Sequence, residues 1–370
     1  MFPGRFAWVI AFSVTGPGLS LAAADLPDVA YQARMQPPSP PSAAEQPRIR
    51  IEEFAALPSP ANLRRPAPRI LVATAEPPRD IWERIRRQFA MPLLKSPLVD
   101  RQINWYLSRP EILRGILQRS RRYLYHVVSE LERRNLPTEL ALLPMVESGY
   151  SPHALSSAQA SGLWQFIPET GKRYQLAQTN SYDARRDVVA STRAALDYLQ
   201  FLYDLFGDWH LALASYNWGE NAVAAAVERN RTRGRPVTYD TLSMPEETRL
   251  YVPKLQALKT IIANPESFGI DLGAIPNEPY FAEVENSKNL DLKLAAKLAE
   301  MPLDEFIALN PAFNGKAISS GDRSMILLPV SKVDTFKANL QSLLGTPPTR
   351  RDPSGRRASR AGGTSPTSKF

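Results

Sequence analysis

The chain has 370 residues, 44% of them hydrophobic, which is enough for two ordinary domains plus tails and excludes wholesale disorder. It contains no cysteine and three histidines, which excludes disulfide staples, thiolate nucleophiles, iron–sulfur ligation and cysteine-based zinc sites, and leaves little for any other metal cage. A mechanism without metal or cofactor is favoured, and the net charge of +8, from 45 basic and 37 acidic residues, invites a nucleic-acid or anionic-surface reading until its placement is known.

Arg5 precedes an apolar stretch from Phe6 to Val14, and Ala22, Ala23 and Ala24 follow a Gly and Pro break. This is the pattern of a secretory signal peptide over residues 1–24. The apolar run is far short of the roughly 20 residues that a spanning helix needs, so an uncleaved anchor is the weaker alternative. With no cysteine in this region a lipoprotein anchor is not expected, and the chain reads as exported. Residues 25–80 hold twelve of the 34 prolines and few aromatics, which fits an extended, disordered linker.

From residue 81 to 134 the text is helical and amphipathic. Ile81, Trp82, Ile85 and Phe89 recur at helical spacing, as do Leu117, Tyr123, Leu124, Val127, Val128 and Leu131. This segment carries twelve basic and five acidic residues, and the tail at 345–370 has six basic residues against Asp352. Residues 135–275 and 276–344 are mildly acidic. The excess charge therefore belongs to a basic helical segment expected to pack on the next domain and to a disordered basic tail.

Leu136 to Val146 is apolar almost all round after Pro137, which predicts a buried helix kinked at Pro144. Leu136, Leu140, Leu143 and Glu147 fall at steps of four, three and four, so Glu147 occupies an interior slot before Gly149 and Pro152 stop the helix. A carboxyl there is desolvated and faces the negative pole of the helix, and both effects favour its neutral form. Such a group is a candidate general acid. The alternative, an ordinary glutamate whose head reaches water, is left open by position alone. Downstream come Gly162-Leu163-Trp164-Gln165, a helix predicted over about Val188 to Phe206, Ala214-Ser215-Tyr216-Asn217-Trp218, and Glu247-Thr248-Arg249-Leu250-Tyr251-Val252. Trp164 and Trp218 can be core aromatics or, beside amides in turns, the stacking surfaces of a saccharide cleft.

Glu147-Ser148, Gly162-Leu163-Trp164-Gln165, Ala214-Ser215-Tyr216-Asn217 and Tyr251 in Glu-Thr-Arg-Leu-Tyr-Val, in this order and spacing, resemble the family 1 lytic murein transglycosylases. The resemblance implies a mainly α fold with a lysozyme-like catalytic domain at 135–275, and a periplasmic enzyme that acts on peptidoglycan glycan strands. It implies that Glu147 is the sole catalytic acid and base, protonating the oxygen between N-acetylmuramic acid and N-acetylglucosamine and then taking the proton of the muramoyl C6 hydroxyl as it attacks C1. A 1,6-anhydromuramoyl end results, and no second carboxylate is required, unlike ordinary glycosidases. Ser148 is then expected near the acid or substrate, and Gln165 in the cleft. Tyr216 and Tyr251 would hydrogen-bond Glu147, Asn217 would support substrate, and Trp164 and Trp218 would serve as cleft aromatics.

Residues 281–330 resemble a worn LysM unit, a small α+β module of strand, helix, helix and strand. Leu292 to Ala299 and Leu303 to Pro311 supply the helices and Ile326 to Pro329 the closing strand. Asn286-Ser287-Lys288-Asn289 replaces the usual Gly-Asp-Thr loop, which favours a structural or weakly binding role over a competent glycan site. Other functions compatible with the text are a hydrolytic muramidase and a catalytically silent wall-binding scaffold. The hydrolase would need a second carboxylate, and the nearest, Asp183 and Asp187, read better as helix caps. Nucleic acid is not an expected partner, because that reading rests on charge alone. The two basic segments could instead hold the chain near anionic envelope polymers or a membrane.

Overall fold

The computed structural model describes residues 78–285, 290–314, 317–318 and 325–345. The signal peptide, nearly all of the linker, the Asn286–Asn289 loop and the tail beyond Gly345 lie outside the described residues. Among the described residues four helices come first: α1 (Ile81–Arg86), α2 (Pro97–Leu107), α3 (Pro110–Ser120) and α4 (Leu124–Arg133). Asp80 caps α1 by accepting the Trp82 and Glu83 amides at 2.8 and 3.3 Å, and Ile81, Trp82 and Ile85 are buried. Phe89, predicted in phase with them, lies beyond the helix end.

The apolar stretch after α4 is not one kinked helix. A 3-10 turn over Thr138–Leu142 passes into a separate short helix, α5 (Leu143–Glu147), with Pro144 in its first turn. A proline there loses no intrahelical bond, because its missing N–H is one that the helix start leaves free anyway. Both pieces are buried apart from Glu147 itself, as the apolar pattern requires.

After α6 (Pro168–Arg173), the long helix α7 (Val188–Phe206) begins at Asp187, whose carboxylate accepts the Ala190 amide at 2.8 Å. It packs on α8 (Trp209–Trp218), which is buried continuously from Trp209 to Ser215 and is the central helix of the domain. Around α8 lie α9 (Glu220–Thr232) and α10 (Glu246–Ala263), and α10 also packs along α2.

The basic segment is fastened by a buried ion pair. Glu139 is wholly buried and accepts the amides of Ala90 and Met91 at 3.0 and 2.8 Å. It faces Lys259 of α10 at 2.7 Å, and Lys259 also donates to the Met91 carbonyl at 2.8 Å. A loop from the first segment is thus clamped between two later elements. A second seam joins Pro78–Trp82 to residues 273–277. Ile81 donates to the Ile275 carbonyl at 2.9 Å, Asn277 to that of Arg79 at 2.9 Å, and the Trp82 indole to that of Gly273 at 3.0 Å.

The C-terminal module pairs β1 (Phe281–Glu285) antiparallel with β4 (Met325–Pro329), with Phe281 opposite Pro329, and β2 (Leu290–Asp291) with β3 (Ala317–Ile318). Between them stand α11 (Leu292–Leu298) and α12 (Leu303–Leu309). The module runs beyond residue 330, because α13 (Val333–Gly345) packs on α11 and inserts a fully buried Phe336. The chain is mainly α with this small α+β unit. Among the described residues no helix is long and apolar enough to cross a membrane.

Candidate active site

Glu147 ends α5 and is half-buried, whereas the four residues before it are buried. Two left-handed residues, Gly149 and Tyr150 at φ 58° and 59°, then turn the chain back, and the amide of Tyr150 donates to the Pro144 carbonyl at 3.0 Å. Only glycine takes such a φ without cost; Tyr150 is held there by its hydroxyl, which donates to the Ala141 carbonyl at 2.7 Å.

The Gly162–Phe166 turn packs against this corner. Ser148, 1% exposed, directs its hydroxyl to the Leu163 carbonyl at 2.9 Å and to that of Pro144 at 3.2 Å. It therefore belongs to the neighbourhood of the acid, not to a substrate surface. Gly162, at φ 84°, leaves no room for a side chain: a Cβ would lie 2.1 Å from the Arg185 carbonyl oxygen. Gln165 is half-buried in the turn and donates to the Gly162 and Ala154 carbonyls at 2.8 and 3.1 Å.

Trp164 differs from its expected place in the cleft. It is completely buried, with its indole N–H on Thr192 Oγ1 at 3.0 Å, so it cannot stack on a sugar. Tyr216 differs as well: its hydroxyl donates to the Trp164 carbonyl at 2.8 Å instead of to Glu147. The run of rings beside it, Tyr198 and then Tyr174, at centroid separations of 5.4 and 5.2 Å, escaped sequence reasoning because these tyrosines lie in separate elements. Trp218 is half-buried at the end of α8.

Tyr251 of α10 does meet the acid, donating its hydroxyl to Glu147 Oε1. Burial pushes the Glu147 carboxyl up to about 7; the Tyr251 bond and Lys254 oppose this, and Glu247 adds to it. Glu247, Tyr251 and Lys254 share one face of α10 at i, i+4 and i+7. The Asn217 amide donates to Glu247 Oε1 at 3.4 Å and its carbonyl accepts the Thr248 hydroxyl at 2.8 Å, which ties α8 to the start of α10. Burial lowers the Lys254 ammonium's proton affinity, against the pull of Glu247 and Glu147. Neither Glu247 nor Lys254 was singled out from sequence, although their helical spacing from Tyr251 was there to find.

Of the two aspartates considered as second carboxylates, Asp187 caps α7 and accepts the Tyr182 hydroxyl at 2.5 Å. Asp183 is not a cap. It is buried in an ion pair with Arg185, at 2.7 Å. Among the described residues no cluster of three or more histidine, aspartate or glutamate side chains could hold a metal ion.

A half-buried acid at a helix end, walled by a glycine turn and met by a tyrosine from a later helix, defines a site of the lysozyme-like kind. The transglycosylase SLT domain family model matches residues 127–237, and the model of the lytic transglycosylase MltD LysM-like domain matches 280–344. The chain is 36% identical over 267 residues to membrane-bound lytic murein transglycosylase D of Escherichia coli strain K12, covering 72% of this chain and 59% of that protein. It is 38% identical over 182 residues to a putative tributyltin chloride resistance protein of an Alteromonas strain, covering 49% of this chain and 82% of that one. With membrane-bound lytic murein transglycosylase C of Glaesserella parasuis the identity is 28% over 166 residues, 40% of this chain and 46% of the relative. The chain thus carries a transglycosylase SLT domain followed by an MltD LysM-like domain, and it spans 59% of the length of the Escherichia coli relative.

Proposed function

We propose that the protein is a peptidoglycan lytic transglycosylase of the bacterial envelope, exported to the periplasm, with Glu147 as its single acid and base. The observation that carries this reading is the Glu147 carboxyl, with a proton affinity near neutrality and its Oε1 held by Tyr251. A carboxyl poised there is protonated often enough to donate and ionised often enough to accept. In the first step Glu147 gives its proton to the glycosidic oxygen between N-acetylmuramic acid and N-acetylglucosamine as the C1–O bond breaks. In the second, the carboxylate takes the proton of the muramoyl C6 hydroxyl while that oxygen bonds to C1. The proton returns to Glu147, no water enters, and the product carries a 1,6-anhydro ring.

Hydrolysis is the second reading, and the closeness of Glu247 to the acid is the observation that favours it. The charge of Glu247 adds to the proton affinity of Glu147. Its Oε1 is engaged by Asn217, which suits a structural role better than the activation of water. Mass analysis of digested sacculi separates the two readings, since hydrolytic products are heavier by one water. Anhydro ends are the expected result; mainly reducing ends would overturn the transglycosylase reading. The Glu147→Gln variant should bind sacculi as the parent does and release no glycan, and release at the parental rate would remove Glu147 from the mechanism.

A further inference from the structure

The C-terminal module does not hang free of the catalytic domain. Its loop Asn310–Asn314, which follows α12, lies alongside the loop that leads into α7. The amide of Asp183 donates to the Ala312 carbonyl at 2.8 Å, that of Asn314 to the Ser181 carbonyl at 2.9 Å, and Tyr182 and Phe313 pair as an antiparallel bridge with ring centroids 5.3 Å apart. The Arg186 guanidinium donates to the Asn314 side-chain oxygen. A second contact, the Tyr123 hydroxyl on the Ala308 carbonyl at 2.8 Å, joins the module to the catalytic domain away from that loop.

The docked loop leads to the acid through consecutive contacts. The Asp183 carboxylate accepts Arg185 Nε and Nη2 at 3.0 and 2.7 Å, and both residues are buried. Arg185 Nη1 then donates to the Gln159 and Phe166 carbonyls at 2.6 and 3.1 Å, one on each side of the Gly162 turn. Gly162 rests on the Arg185 backbone, and the turn offers its Leu163 and Trp164 carbonyls to Ser148 and Tyr216. A planar guanidinium with several donors in fixed directions suits this bridging task, which lysine could not perform.

We propose that Asn310–Asn314 is a positioning element of the catalytic cleft. It fixes Tyr182–Arg185, which fix the Gly162–Phe166 turn against Ser148 and so set the wall beside Glu147. The inference rests on the transglycosylase reading and gives the module a task other than holding glycan. Its residues act through others and touch no reacting atom.

The test compares the full chain with its Phe313→Ala/Asn314→Ala double variant on whole sacculi and on a soluble tetrasaccharide of alternating N-acetylglucosamine and N-acetylmuramic acid. If the loop positions the wall, kcat falls about ten- to a hundredfold on both substrates with little change in KM. Backbone amides of residues 160–166 exchange faster, those of α8 keep their protection, and Phe313→Tyr restores both. Parental kcat on the tetrasaccharide with only sacculus binding reduced would overturn the proposal and make the module a binding unit. Unchanged exchange at 160–166 would overturn it too. Should the double variant lose α8 protection, Asn314→Ala alone, which leaves the Phe313 ring in place, is scored by the same readouts. A parent that yields no anhydro product overturns the transglycosylase reading instead, and the exchange measurement still decides the positioning role.

Discussion

The Glu147 carboxyl holds its proton more tightly in the folded chain than in the unfolded one, since burial lifts it from the usual 4.5 to about 7. The stability it lends is therefore fully present below about pH 4.5 and is lost as pH rises through 7. Glu147→Gln escapes that loss, so its Tm should exceed the parent's by more at pH 8 than at pH 5; an equal difference at both would mean that the acid is solvated. Activity should fall as the acid ionises, giving an alkaline limb near 7. Lys254→Met removes a cation that favours the carboxylate and should move this limb up, whereas Glu247→Gln should move it down. A limb indifferent to both would show that the α10 charges do not reach the acid. Apolar spacing marks Glu147 as the end of an interior row but leaves open a head that reaches water, and the resemblance is what implies its role. The partners of Tyr216 and Trp164 were not legible in the sequence, since a hydroxyl's choice between a carboxylate and a carbonyl is decided by how two distant segments approach.

The elements were legible where periodicity and caps agree. α7 starts and stops where Asp187 and the left-handed Gly207 place it, and α5 carries the acid at its end as the apolar run foretells. Two features were hidden. Pro144 can kink a helix or open a new one, and only the 3-10 turn before it decides between them. α13 was missed because, among its described residues, Phe336 alone is buried, too thin a pattern for periodicity to catch. Hardest to read was the Glu139–Lys259 pair, whose partners stand 120 residues apart in the chain. Leaving one member of a buried pair uncompensated costs about 3–5 kcal/mol. Glu139→Gln should lose stability of that order in urea unfolding, and Glu139→Met combined with Lys259→Met should lose less. If the double variant is the worse of the two, Glu139 serves the Ala90 and Met91 amides more than the lysine.

For the whole molecule, the net charge of +8 is unevenly distributed: the segment at 81–134 and the tail are basic, and the body that carries the acid is slightly acidic. If the tail holds the protein on anionic envelope polymers, ending the chain at Gly345 should lower retention on sacculi and flatten its dependence on salt. Retention and salt dependence unchanged by this truncation would deny the tail that role. The seam between Pro78–Trp82 and residues 273–277 has a mechanical meaning. Any pull transmitted through the residues before Pro78 meets the Asn277 bonds to Pro78 and Arg79 first, then the Ile275 bonds, then the Trp82 indole. These contacts follow an antiparallel course around the Asp80–Pro276 bridge and would open one after another, like a zip, before α1 itself is loaded. α10, and with it Tyr251 on Glu147, lies beyond the far end of that path.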